Sequence, residues 1–477
     1  MSQADFLALL PELLLSGVAM VILLADAFAP GLRRTFMPLG LLATAAAGWA
    51  AWELPAGSAF GQQLQTNGVT FAFTAVVLVA TFLALLASEG YLRREGILAG
   101  EYHALLLWSA TGMLLLLRAT ELLTLFLALE LLSLCLYALA AFNRRSQVGA
   151  EAAIKYFLMG AFVSAFVLLG LALLYGETGS TNLEGIRQAI AAGVASGPIS
   201  AFGILLLVAG FGFKMSLVPF HAWSPDTYQG APSPFVGFLS VAPKAASAVV
   251  LVRVLETVAG GGPLDAKWTG LIAILAVASM LVGNLLALVQ RDIKRMLAYS
   301  GIAHMGYLLL ALLSPGPDTW TPVLVYLMAY ALMNAGAFAV VTLLYTKSGE
   351  QHLISDLAGL GFRQPLLGFC LAVSMLSLGG IPPTFGFFGK YLVFLQAVRD
   401  GHVGLVLVGV VASLIGVFYY LRVVYTLYMK AETKPVTDPG PDAWGRLAAV
   451  LAAAATLLLG ILPYRLLGWM ISAMGGP

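Results

Sequence analysis

The sequence predicts an all-α polytopic membrane protein of about fourteen transmembrane helices, with two inverted five-helix repeats and discontinuous helices 7 and 12. Three observations carry that expectation. The 477 residues are 60% hydrophobic and 10% charged, with a mean hydropathy of +0.92, whereas soluble domains carry about 25% charged residues. Apolar runs of spanning length recur along the whole chain. Two of these runs are interrupted by Pro and Gly close to a lysine, Lys214 in one and Lys390 in the other, and paired broken helices are a transporter architecture.

A spanning helix needs ~20 apolar residues. On that rule spans lie near 6–28, 36–54, 69–88, 102–118, 121–142, 155–175, 199–217, 233–255, 268–290, 295–313, 321–345, 365–399 (one broken span), 403–428 and 445–469. The N-terminus, Met1 to Asp5, has no basic stretch, so the first apolar run is expected to stay as a span. The segment Leu183 to Val194 is too short and too rich in small residues to span, and is expected at the surface. Fifteen Lys and Arg, including Arg93, Arg94, Arg144 and Arg145, fall in gaps on one side, and six, including Arg187 and Lys267, on the other. The positive-inside rule puts the first side in the cytoplasm and both termini outside.

Four cations are left over: Lys214, Lys244, Lys390 and Arg422. Of the acids, only Glu130 falls near the middle of a span. Asp26 and Arg422 lie near span ends and read as interfacial anchors. A charge inside hydrocarbon is costly and by default marks an ion pathway. Lys214 lies between Gly210/Gly212 and Pro219, and Lys390 follows Pro382 and Pro383, residues that weaken or break a helix. Backbone freed at membrane depth must line water or be bonded again.

Tyr156-Phe-Leu-Met-Gly-Ala in the sixth span resembles Tyr330-Ala-Leu-Met-Asn-Ala in the eleventh, an offset of 174, and Lys390 follows Lys214 by 176. The same offset carries Glu130 onto His304, and 175 carries Lys244 onto Tyr419. The expected organisation is three N-terminal spans in 1–100, a first five-helix unit in 101–260, a second, inverted unit in 261–430 and a last span in 431–477.

Composition also excludes. The net charge is +2, so no polyanionic partner is implied. Cys135 and Cys370 form no CxxC pattern, the histidines show no HExxH, and there is no GxGxxG after a strand and no P-loop. A bound nucleotide, flavin, metal or iron–sulfur cluster is not expected. The intramembrane set suits protons instead. Burial disfavours the charged form of an amine and a nearby carboxylate favours it, so moving charge near such a pair switches a lysine between binding and releasing a proton. Glu130 with Lys214 can form such a pair. Lys244, His304 and Lys390 can then relay a proton across the middle of the membrane, histidine being the side chain that titrates nearest neutral pH. Tyr299, Tyr307, Tyr419 and Tyr420 can order waters along the way. One carboxylate is a poor start for a Na⁺ site.

Blander readings stand beside these. Lys390 can snorkel to the interface, His221 can cap the break after Pro219 as readily as function there, and His304 can be a satisfied core residue. Glu130 with Lys214 can be a structural ion pair, although apolar replacement of such pairs is often neutral. His103 and His352 read as loop residues and His402 as a span-edge residue, without function.

The run Phe213-Lys214, Pro219-Phe220-His221-Ala-Trp223-Ser-Pro225-Asp226, Tyr228-Gln-Gly230-Ala231-Pro232 and Lys244-Ala resembles the antiporter-like subunits of respiratory complex I and of multisubunit Na⁺/H⁺ antiporters. Lys390 stands where subunit M of that complex has a glutamate, and no segment for subunit L's lateral helix follows the fourteenth span. The resemblance implies Glu130 and Lys214 as the coupling pair, Lys244 as central proton carrier and Lys390 as terminal lysine. It implies a translocase subunit in the bacterial inner membrane without a redox centre of its own. NADH, FMN, iron–sulfur clusters and quinone are then expected in partner subunits. The implied partners are other membrane-arm subunits, a neighbouring subunit M and small subunits such as K and J. One alternative stays open, a cation/proton antiporter component without redox coupling; a purely structural scaffold is disfavoured by four buried titratable groups.

Overall fold

Apolar chain in hydrocarbon must satisfy its backbone internally, which leaves helices. The computed structural model is accordingly helical almost throughout; it describes residues 3–195, 197–260, 262, 264–346, 349–350, 352–431, 442–463 and 468. Lys347, Lys434 and Arg465, counted above for orientation, lie outside the described residues.

The N-terminal part holds α1 (Gln3–Ala8), α2 (Leu10–Phe28), α3 (Arg33–Glu53) and α4 (Gly68–Arg94). Asn67 opens α4 with a capping box, its side chain accepting from Thr70 N while the Thr70 hydroxyl accepts from Asn67 N. A hairpin of α5 (Gly100–Arg118) and α6 (Leu122–Ala140) leads to α7 (Gln147–Thr178), the surface helix α8 (Leu183–Ala191) and α9 (Pro198–Met215). On the exposed α8, Arg187 and Gln188 hold the Glu184 carboxyl down to about 2. Beyond a break come α10 (Trp223–Gly230), α11 (Ser233–Leu239) and α12 (Ala242–Ala259). A second hairpin, α13 (Ala266–Val289) with α14 (Ile293–Leu309), is followed by α15 (Trp320–Leu343), the short α16 (Leu360–Arg363), α17 (Pro365–Gly379), α18 (Phe385–Arg399), α19 (Val403–Met429) and α20 (Ala443–Ile461). Each expected span carries helix, and among the described residues ten helical segments are long and apolar enough to cross a membrane. The buried centre is α11–α12 and α15.

The two hairpins repeat each other's contacts. A carbon added at Gly112 would strike Leu132 N and Ala128 O, and one added at Gly283 would strike Ala303 N and Tyr299 O, each partner 171 positions on. Small residues let the backbones approach this closely. Glu121 caps α6 and Asp292 caps α14 through their side chains, and both pair with a later loop, Glu121 with Asn182 and Asp292 with Leu353. Arg253 donates to the carbonyl of Ala119 at the end of α5, and Arg422 to those of Leu288 and Gln290 at the end of α13. Arg422 is therefore an internal clamp rather than an interfacial anchor.

These contacts correct the register read from sequence. At 171, Glu130 corresponds to Gly301 and His304 to Ser133. The two breaks agree at yet another spacing. α9 ends at Ser216 (φ 61°) and α17 at Gly380 (φ 77°), 164 residues later. Each closes with the same pair of bonds: Ser216 N to Phe213 O with Leu217 N to Gly212 O, and Gly380 N to Ser377 O with Ile381 N to Leu376 O. Lys214 thus precedes its break while Lys390 follows its own, so the two lysines are not counterparts. α7 has 32 residues and α15 only 24, and this difference outweighs the longer loops of the second half and lowers the spacing along the chain.

Other assignments change as well. His103 lies buried in α5, not in a loop, with its Nε2 3.9 Å from the buried Glu89. Arg118 is not a loop charge but is buried against Glu12 at 2.7 Å, so Glu130 is not alone among acids inside the bundle. Lys294 is buried at the start of α14 and donates to Ala231 O at 2.8 Å.

Candidate functional site

The first cluster is built on α6, where Glu130, Ser133 and Tyr137 share a face at helical spacing. Lys214, 3% exposed at the end of α9, reaches across to donate to Ser133 Oγ at 2.8 Å and Tyr137 Oη at 3.3 Å. Its ammonium also lies 5.2 Å from the Tyr137 ring centre and 6.0 Å from that of Tyr156, a favourable place for a cation. The Trp223 indole donates to the Phe213 carbonyl at 2.9 Å and stacks on Tyr156, tying the far side of the break to the lysine's own turn. Glu130 is only half-buried, and its Oε1 accepts from Ser164 of α7 at 2.5 Å. Glu130 and Lys214 therefore form no direct ion pair. Ser133, one helical turn from the carboxylate, is the lysine's immediate partner.

The second cluster surrounds α14. Lys244 on α12 is 0% exposed, and its Nζ has no hydrogen-bond partner among the described residues. It lies 5.7 Å from the Tyr228 ring centre and against Gly301 of α14. His304 follows Gly301 by three residues and is 1% exposed. Its Nδ1 meets Tyr326 Oη at 2.7 Å and its Nε2 meets Tyr420 Oη at 3.2 Å, while its ring lies 5.2 Å from that of Tyr330. Tyr420 also bonds Ser300 and packs on Tyr419 at 4.4 Å between ring centres. Tyr419 donates to Asn284 Oδ1 at 3.1 Å, and Asn284 donates to Tyr307 Oη at 2.8 Å.

Lys390 closes this run. It is 6% exposed, its ammonium 5.1 Å from the Tyr307 ring centre. It donates to the carbonyls of Leu378 and Gly379 at 2.9 and 3.3 Å and to Ser413 Oγ at 3.0 Å. The break in α17 explains why a lysine is accommodated here. The last carbonyls of a helix lack intrahelical partners and carry negative partial charge, so a cation is favoured there. Those bonds hold Lys390 inside the bundle, away from the interface that snorkelling requires.

The structure thus brings Lys244, His304, Tyr307, Tyr419 and Lys390 into one polar run, and Lys214 into a separate cluster beside Glu130. No hydrogen bond among the described residues joins the two. Tyr299 is partly buried against the apolar core, outside the run. His221 lies in the turn after Pro219, its Nδ1 without a partner among the described residues. Sequence reasoning missed Tyr228, Asn284, Tyr326, Tyr330, Asn334 and Ser413. The signal was available in part: Tyr326, Tyr330 and Asn334 recur every four residues along α15, one face of a buried helix.

Hydroxyl and imidazole groups can each accept a proton at one site while giving one up at another. A buried run of them ending in lysines is suited to passing protons. No group of three His, Cys, Asp or Glu among the described residues could hold a metal ion.

Residues 119–416 match the transmembrane family described as NADH:quinone oxidoreductase/Mrp antiporter. The chain is similar to the protein named NADH-quinone oxidoreductase subunit N of Trichlorobacter lovleyi, at 40% identity over 464 residues, which cover 96% of this chain and 95% of that one. It is likewise similar to the protein of that name from Nitrosomonas europaea, at 39% identity over 477 residues covering 98% of each. A chain in the structure of respiratory complex I from Thermus thermophilus with bound Aureothin superposes with a TM-score of 0.81 at 37% identity, covering 96% of this chain and 98% of its own. The chain is a multi-pass membrane protein and belongs to the NADH:quinone oxidoreductase/Mrp antiporter transmembrane family.

Proposed function

We propose that the chain is a proton-translocating membrane-arm subunit of an NADH–quinone oxidoreductase, the subunit N for which its relatives are named. Electrons pass from NADH to quinone in partner subunits that hold the FMN and iron–sulfur clusters, and this chain binds none of these. Subunit M and small subunits such as K and J are its neighbours in the inner membrane. Fourteen crossings, two inverted units over 101–260 and 261–430 and both termini outside complete this reading. The matched contacts of the two hairpins support the inverted units.

The observation that carries the proposal is the buried polar run from Lys244 to Lys390. Charge moving near Glu130 changes how firmly Lys214 holds its proton. That proton reaches Lys244, and Lys244 passes one to the hydroxyls and imidazole around His304. Each group accepts on one side and releases on the other, so one proton is displaced in total, and Lys390 releases it outward. His221 borders the first cluster and Tyr307 and Tyr419 the last. The test is to purify the chain with its native partners. A complex whose flavin and clusters are reduced by NADH supports the proposal. An intact assembly without them, exchanging Na⁺ or another cation for protons, would overturn it in favour of an antiporter without redox coupling.

A further inference from the structure

Three glycines of the second hairpin would meet different atoms if they carried a side chain. A carbon added at Gly283 or Gly306 would strike the backbone of the partner helix, at Ala303 N and Met280 N. Those two are packing glycines. At Gly301 the added carbon would lie 2.8 Å from Tyr330 Oη and 2.9 Å from Lys244 Nζ, with no backbone atom of a neighbouring helix within 4 Å. Only the tips of two side chains stand in the way, and both belong to the polar run.

Those tips share an unusual setting. Lys244 Nζ is fully buried and has no hydrogen-bond partner among the described residues, and neither has Asn334 Oδ1 nearby. Asn334 donates to Tyr330 Oη at 3.3 Å and to Ser240 Oγ at 2.6 Å, which leaves its carbonyl oxygen open. Buried polar atoms are rarely left unpaired, and a water bonded to two or more of them is the usual remedy. Gly301 also occupies the position that Glu130 fills in the first hairpin, where a carboxylate stands beside a lysine's partner. In the second hairpin the carboxylate is gone and Lys244, contributed by α12, comes up against the bare backbone.

We infer that Gly301 is a positioning residue: its missing side chain keeps Lys244 and Tyr330 within reach of one shared water, through which protons pass from Lys244 toward His304. This rests on the proposed proton relay. A methyl group at 301 displaces the water and turns the two tips apart without disturbing the helix contacts. A hydroxymethyl group occupies the same space but supplies an oxygen that accepts from one neighbour and donates to another.

The test compares Gly301→Ala, Gly301→Ser and Lys244→Ala in the complete complex, in inverted membrane vesicles, reading NADH-driven proton uptake beside electron transfer. The expected result is a loss in Gly301→Ala comparable to that in Lys244→Ala, with uptake regained in Gly301→Ser. If Lys244→Ala fails and Gly301→Ala pumps like the native complex, the glycine inference is wrong and the relay stands. Equal defects in Ala and Ser, or failure of both to assemble, would make Gly301 a third packing glycine. Native pumping by Lys244→Ala would remove the relay itself.

Discussion

Glu130 and Lys214 lie one helical turn out of contact, with Ser133 bonded to the lysine and Ser164 to the carboxylate. Their coupling must pass through the field between them and through these hydroxyls. Both Glu130→Ala and Lys214→Ala should therefore lower proton pumping, and the double variant should be no worse than the poorer single, because groups acting as one switch do not add. Proton-uptake rates of the three variants decide this, and additive losses would mean separate roles. Ser133→Ala should be milder than Lys214→Ala, since it removes one hydrogen bond to a charged group, worth about 1.5–3 kcal/mol, and leaves Tyr137 in place; the same assay ranks them. The lysines and Glu130 were legible in the sequence because ions stand out inside apolar runs. Tyr326 and Tyr330 left only their four-residue spacing as a signal, and Asn284 left none, because a tyrosine or asparagine in such a run reads as core until the helix opposite is known.

The elements do the positioning. Each hairpin is held by an arginine from a later helix, Arg253 of α12 on Ala119 and Arg422 of α19 on Leu288 and Gln290. Arg422 forks over two carbonyls at 2.8 Å each, a geometry a lysine's point charge does not reproduce. Arg422→Lys should keep the charge yet lower the thermal stability of the purified complex, and Arg422→Met should lower it further. Equal melting temperatures for all three would mean that the clamp carries no load. Apolar run length placed most helices to within a few residues, but α7 begins at Gln147, well before the expected 155, because its first turns are broken by Gln147, Glu151 and Lys155 and start from a Ser146 cap. The register between the two hairpins was misread for a related reason. A short sequence match in one helix says nothing about insertions in the loops, whereas caps and close backbone contacts recur at one spacing within the hairpin that holds them.

At the scale of the whole molecule, charge counting assigned Arg187 and Arg253 to the outer side and Lys155 and Arg295 to the cytoplasmic side. Arg187 and Arg253 line one cavity of about 300 Å³, together with Asn67, Thr120, Asn182 and Trp320. Lys155 and Arg295 both bond Asp226. Arg144→Cys and Lys267→Cys, both at exposed sites, should then be labelled by an impermeant thiol reagent from opposite sides, Arg144→Cys from the cytoplasm only. Labelling of both from one side would refute the topology. The central claim is that protons pass through the run that ends at Lys390, and it needs a group that lets its proton go. Arginine keeps the positive charge and can bond the Leu378 and Gly379 carbonyls, but it does not deprotonate at physiological pH. The most direct measurement is the number of protons moved per electron by the Lys390→Arg complex in sealed vesicles. The account predicts an assembled complex that transfers electrons and moves fewer protons per electron than the native one; a native ratio would contradict it.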